Sequence, residues 1–324
     1  MRTLLFLTLV LKTTQSEKFK HLENENIILL TGGIADADSN YGLSSVEVLG
    51  QPSCFVPPLP SPRAAHVTIP TIDNLLLTCG GLLDLDVNFD EHVDLSCVML
   101  DPGSSSWVPH STLDVPRFGF SAISLEEGVF LLGGTYPSTS NTSSFLPTGA
   151  TEWQVGPNIP EGEHQDFSCG VAISDHQFLF TFGLYATTTK VLEYDTKTSV
   201  WIKWDMLPKG RWGSSCIRVG DNVLIAGGQI ADTAILHIPT RTWRNGGLMT
   251  TIRRFFGWQS LNGKVLAFGG MATYNDSYVA LTSAEEWEPE QEVWAASDIK
   301  LETPRAVFGT VSGMSLDLCT PTTE

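Results

Sequence analysis

Residues 211–228 read RWGSSCIRVGDNVLIAGG, and the rest of the chain can be laid out from this stretch. It begins with Arg211 after a turn holding Pro208 and Gly210, and runs through a half-apolar segment. It then turns at Gly220-Asp221-Asn222 and ends in an apolar run stopped by Gly227 and Gly228. Two apolar runs around a glycine-containing turn predict a β-hairpin. The pattern recurs: RFFGWQSLNGKVLAFGG ends at Gly269-Gly270, and RFGFSAISLEEGVFLLGG ends at Gly133-Gly134. A hairpin that returns at a steady interval is a repeat unit rather than a local turn.

Taken as punctuation, the glycine doublets fall at Gly32-Gly33, Gly80-Gly81, Gly133-Gly134, Gly227-Gly228 and Gly269-Gly270, with a degenerate Phe182-Gly183-Leu184 in fourth place. From Gly33 the steps to Gly81, Gly134, Gly183, Gly228 and Gly270 are 48, 53, 49, 45 and 42 residues. A period of about 50 residues suits a propeller blade of four strands. Each doublet follows an apolar run (IILL, LLLTC, VFLL, FLFTF, VLIA, VLAF), as expected of a strand covered on both faces. Two further markers keep phase. Trp107, Trp153, Trp201, Trp243 and Trp294 trail the doublets, with Phe55 in the first repeat. About ten residues further on come Arg63, Arg117, Arg211, Arg253 and Arg305, with His164 in the fourth repeat.

On these residues the chain resembles the kelch repeat family, whose repeat carries a Gly-Gly doublet after its second strand, a tryptophan in its fourth, and Pro-Arg opening its first. Here Pro-Arg stands at Arg63, Arg117 and Arg305. The resemblance covers residues 27–313 and implies an all-β fold: a six-bladed kelch-type β-propeller of four-stranded antiparallel blades. The departures are Phe55, His164, the degenerate doublet at Gly183, and few third-strand tyrosines, Tyr194 being the clearest. The ends are complementary: IILLTGG is a second strand without a first, and RAVFGTVSG (305–313) a first strand without a second. The C-terminal strand is therefore expected to join blade one and close the ring, leaving neither half an unpaired edge.

Before the repeats, Arg2, the apolar run Leu4 to Leu11 and the small residues Thr14 and Ser16 have the form of a cleaved secretory signal over residues 1–16. Residues 17–26 form a lead-in and 314–324 a polar tail. A secreted, extracellular, monomeric protein is expected. The sequons at Asn141 and Asn275 are candidate glycosylation sites. The six cysteines suit an oxidising compartment. Cys54–Cys319 would lock the ring, and Cys79–Cys97 would join adjacent strands. Cys169 and Cys216 share a register on neighbouring inner strands, either bridged or as buried thiols.

The net charge of −17 argues against nucleic acid or an anionic membrane as a partner. Strand order from inside to outside places the loops after strand two and strand four on one face. Arg63, Arg117, His164, Arg211, Arg253 and Arg305 are then expected around one channel mouth, where guanidinium forks match carboxylates. The alternative is that they serve the packing of the repeat itself. Trp212 and Trp258 lie off the tryptophan register and are candidates for the channel. The loop of Asp84, Asp86, Asp90, Glu91 and Asp94 could neutralise the arginines or meet a partner. Its opening imitates a calcium loop, but Phe89 stands where that loop needs glycine. No HExxH or GxSxG motif occurs, and no metal or cofactor is expected. Two functions follow: a module that binds a protein or glycan, possessing an acidic group, through that mouth; or a carbohydrate-active enzyme, of isomerase or oxidase type, using the same mouth.

Overall fold

The computed structural model describes residues 27–36, 41–51, 53–84, 92–101, 104–134, 141–160, 167–181, 189–312 and 319–321. The described residues contain 27 short β-strands and no helix. The repeats fold as blades. Blade two is β4 (Val67–Pro70), β5 (Leu76–Cys79), β6 (Ser96–Leu100) and β7 (Val108–Thr112). Blade three is β8 (Ser121–Leu125), β9 (Gly128–Leu132), β10 (Ser143–Pro147) and β11 (Gln154–Val155). Blade four is β12 (Cys169–Ser174), β13 (Gln177–Thr181), β14 (Val191–Asp195) and β15 (Val200–Lys203). Blade five is β16 (Ser214–Val219), β17 (Asn222–Gly227), β18 (Asp232–His237) and β19 (Thr242–Leu248). Blade six is β20 (Gly257–Leu261), β21 (Lys264–Phe268), β24 (Ser283–Glu288) and β25 (Val293–Lys300). An extra hairpin, β22 (Met271–Tyr274) and β23 (Ser277–Ala280), rises between its second and third strands. In each of these five blades the four strands pair antiparallel in chain order.

Blade one is assembled from both parts of the chain. Strand β1 (Ile28–Thr31) pairs with β2 (Val46–Leu49) on one side and with β26 (Gly309–Ser312) on the other, Leu29 facing both Val48 and Val311. On the outer side, β3 (Cys54–Phe55) pairs with β27 (Thr320–Pro321). The Cys54–Cys319 disulfide stands beside that ribbon, spanning 265 residues of sequence. The ring is a six-bladed β-propeller, closed by its last long strand as the complementary ends require.

Its hydrophobic core lies between blades rather than within one. Leu29 and Val311 of blade one pack with Leu76, Val98 and Trp107 of blade two, and an equivalent slab fills each of the other five junctions. Second strands are therefore buried on both faces, as in β9, where all five residues are buried. The in-phase tryptophans reach back across these junctions. Trp107 Nε1 donates to the Pro57 carbonyl, Trp153 Nε1 to Ser111 Oγ and Trp294 Nε1 to Thr233 Oγ1. Burying such a ring is worth roughly 4–6 kcal/mol from the area removed from water.

All three cysteine pairs are disulfides, including Cys169–Cys216, whose Cα atoms lie 6.0 Å apart. The signal segment, the lead-in, His164, Asp86, Asp90, Glu91 and the Phe182-Gly183-Leu184 triplet lie outside the described residues. Among the described residues no helix is long and apolar enough to cross a membrane.

Candidate functional site

The repeat arginines explain why arginine and glycine doublet recur in phase. Each guanidinium reaches outward into its own blade. Arg117 Nη1 donates to the Gly133 carbonyl at 2.7 Å, Arg253 Nη1 to Gly269 at 2.9 Å and Arg305 Nη1 to Gly32 at 3.0 Å. The same groups hold the start of the third strand: the Ser283 carbonyl for Arg253, the Ser45 carbonyl for Arg305 and the Asp232 carbonyl for Arg211. In return the arginine's own carbonyl accepts the second glycine N–H of the preceding blade, as Gly81 N–H to Arg117 and Gly270 N–H to Arg305. The contact requires the doublet. Gly80 and Gly81 both have positive φ, and a Cβ on Gly81 would stand 2.6 Å from the Ala64 carbonyl oxygen.

These arginines do not open onto a mouth. Arg63, Arg117, Arg211, Arg253 and Arg305 are 0–2% exposed, and four meet an acid: Asp94 at 2.7 Å, Asp232 at 3.5 Å, Glu285 at 2.7 Å and Glu47 at 3.1 Å, for Arg63, Arg211, Arg253 and Arg305. Burial lowers every one of their pKa values, that of Arg117 to about 10. Their position follows from the chain: strand one runs innermost, so a side chain aimed at strands two and three points away from the axis. Asp94 aside, the acid and serine partners are not picked out by the sequence, because the loop between the doublet and strand three varies in length. Of the acidic loop, Asp94 is Arg63's partner, while Asp84 forms a bridge with Tyr41 of blade one.

What surrounds the axis at this end is the residue two positions further on. Ala65, Gly119, Gly213, Phe255 and Val307, with Phe167 in blade four, all have φ between 50° and 64°. Their peptides hydrogen-bond from blade to blade: Gly119 N–H to Ala65 O, Phe167 N–H to Gly119 O, Phe255 N–H to Gly213 O, Val307 N–H to Phe255 O and Ala65 N–H to Val307 O. This collar narrows the channel, and the Phe167 and Phe255 rings meet over it with centroids 4.7 Å apart. A left-handed residue other than glycine costs about 1–2 kcal/mol. The cost is carried where the hydrogen-bonded ring fixes the backbone. Nothing in the residue types Phe255 or Val307 announces that conformation.

Beside the collar lies a cluster outside the repeat. The Arg254 guanidinium sits 4.6 Å from the Trp212 ring centroid and 5.2 Å from that of Tyr278, and its Nη1 donates to the Tyr278 hydroxyl. Trp212 also packs on Phe255. Tyr278 belongs to the extra hairpin of blade six, which exposes Tyr274 and Val279 as well. The Asn275 sequon occupies the tip of that hairpin, with Asn275 and Asp276 both left-handed, as a tight two-residue turn demands. Asn141 is exposed before β10. Trp258, by contrast, is buried against Trp294 and lines the channel.

Below the collar the channel holds a cavity of about 530 Å³ walled by the six innermost strands. His66 lies at its upper end, at the repeat position that holds Phe120, Phe256 and Phe308 in other blades. His66 Nε2 meets Thr31 Oγ1, which continues to Thr68 and Thr78 hydroxyls. Burial first, and then the Arg63 charge, push the His66 pKa down to about 3, so the ring is neutral. The far end widens into a second cavity of about 1120 Å³ rimmed by Glu126, Asp175, Arg218 and Asp221.

The fold and these two ends define the class: a six-bladed β-propeller with a collared channel, a fold compatible with a protein-interaction module. No protein-family model matches the chain, and no curated protein matches it. The three disulfides suit an oxidising compartment.

Proposed function

We propose that the protein is a secreted kelch-type binding module that takes a protein partner on its collar face. The observation that carries this reading is the Trp212–Arg254–Tyr278 stack. A guanidinium held between two rings, with Tyr278 exposed, is an anchor of the residue types that dominate interface energetics. On a chain of net charge −17 a cation so placed selects a carboxylate of the partner. Five repeat arginines support the face indirectly, by holding the loops that frame it, while Tyr41, Leu83 and Leu95 extend it with exposed apolar surface. The in-phase doublets, tryptophans and arginines support the kelch assignment. The apolar N-terminal run, the three disulfides and the exposed sequons Asn141 and Asn275 support secretion and glycosylation.

The test is affinity capture from extracellular fluid with the wild type and with the triple variant Trp212→Ala, Arg254→Ala, Tyr278→Ala. A partner retained by the wild type is expected to disappear from the variant while the melting temperature holds. Retention of every captured partner by the variant would overturn the assignment of the site.

A further inference from the structure

The channel is walled by open strand edges. Its wall consists of β4, β8, β12, β16, β20 and β26, each hydrogen-bonded to a neighbour on one side only. The other edge of each strand turns its peptide groups toward the axis, where every buried N–H and C=O needs a partner. The protein supplies some of these itself, by a donor from one blade to the next. Ser121 Oγ donates to the Ser168 carbonyl, Ser215 Oγ to the Phe256 carbonyl and Gln259 Nε2 to the Thr310 carbonyl. Ser124, Ser168, Ser215, Gln259 and Ser312, none of them fully buried, place further polar side chains along the same wall. An apolar guest would strip water from these groups and from the inward peptide edges, at a cost in free energy for each.

Charge narrows the guest further. Among the described residues lining the upper cavity there is no Asp, Glu, Lys or Arg. An ion would find no counterion there and would carry its full desolvation penalty. At the wide end Glu126, Asp175 and Asp221 outnumber Arg218, which disfavours anions before they reach the interior. The wall mixes hydroxyl and aliphatic residues, Ser124, Ser168 and Ser312 with Ala122, Val171 and Ala172. That pattern suits a molecule with hydroxyls around its edge and C–H surface on its faces. A volume of about 530 Å³ is many times that of one water and falls within the range of small-molecule sites.

We propose that the channel is a binding site for a small uncharged polyol, which enters from the wide, hairpin-lined end and stops beneath the collar. Ser124, Val171, Ala172, Gln259 and Ser312 line both cavities and form the passage between them. This site is independent of the collar face and stands or falls separately from the partner proposed there.

Saturation-transfer NMR on the intact protein tests it, with myo-inositol as the probe and acetate and tetramethylammonium as charged controls. Transfer to myo-inositol is expected to exceed transfer to either ion severalfold. It should drop to background in Ser124→Phe, which plugs the passage, and in Ala172→Phe, which plugs it from the neighbouring wall if the first variant folds poorly. Arg254→Ala, on the opposite face, should leave the signal unchanged. A wild type that transfers nothing to myo-inositol holds water alone and overturns the proposal. So does transfer that survives the plugging substitution in a folded variant, or acetate transfer as strong as that to the polyol.

Discussion

Arg253 and Arg254 are neighbours in the chain and opposites in the fold. Arg253 is fully buried, with Glu285 at 2.7 Å and two backbone carbonyls on one nitrogen. Arg254 stands on the collar face between Trp212 and Tyr278. The difference is one of repetition. Arg253 has four counterparts, each bound to its own blade, so its chemistry is used up by the architecture. Arg254 has none, and its ring partners come from two separate elements, the start of blade five and the hairpin added to blade six. In a repeat protein the residue that recurs belongs to the packing, and the one that breaks the pattern is left free to differ.

The largest effect should come from attacking that contrast directly. Arg253→Ala strands Glu285 without its cation and is expected to cost about 3–5 kcal/mol of stability. Arg254→Ala removes an exposed cation–π contact worth about 0.5–1 kcal/mol. Chemical denaturation of the two variants measures both, and equal losses would erase the distinction. A second substitution asks whether the two chain ends need their covalent link. Cys319→Ser opens the Cys54 bridge and should cost about 2–4 kcal/mol, read as a lower denaturation midpoint than the wild type's. The last effect is absent at neutral pH and grows only on acidification; it concerns the one repeat position where a polar ring replaces phenylalanine. His66 has a folded pKa near 3, below its ordinary 6.5. The unfolded chain therefore takes up a proton first, and stability contributed by neutral His66 is full above about pH 6.5 and is lost as pH falls toward 3. His66→Phe should flatten the stability profile across that window. A profile parallel to the wild type's would show that the ring does not titrate as its burial dictates.

Much of this molecule is legible in its sequence. The doublets mark the ends of β1, β5, β9, β17 and β21, and the complementary ends foretell the pairing of β26 with β1. The bridge of Cys54 to Cys319 follows from that closure. Blade four shows how the markers depend on each other: the repeat that replaces arginine by His164 is the one that replaces the first glycine of its doublet by Phe182. There the Cys169–Cys216 disulfide ties blade four to blade five. The site was less legible. Asp94, Ser96, Asp232, Ser283 and Glu285 all serve the repeat arginines, yet loops of unequal length precede them and hide their common position. Arg254 and Tyr278 lie 24 residues apart and meet only because a hairpin folds back over the collar.

By itself the sequence determined the number of blades, the order of strands and the way the ring closes, because strand alternation and turn chemistry are local and repeat with a countable period. Only the tertiary structure decided which way the arginines of that period point. Their direction is set by what each guanidinium must satisfy once water is gone: carbonyls at the end of a second strand and the start of a third, gathered from parts of the chain whose spacing the period does not fix. The same accounting left Arg254 facing outward, since no carbonyl of its blade requires it.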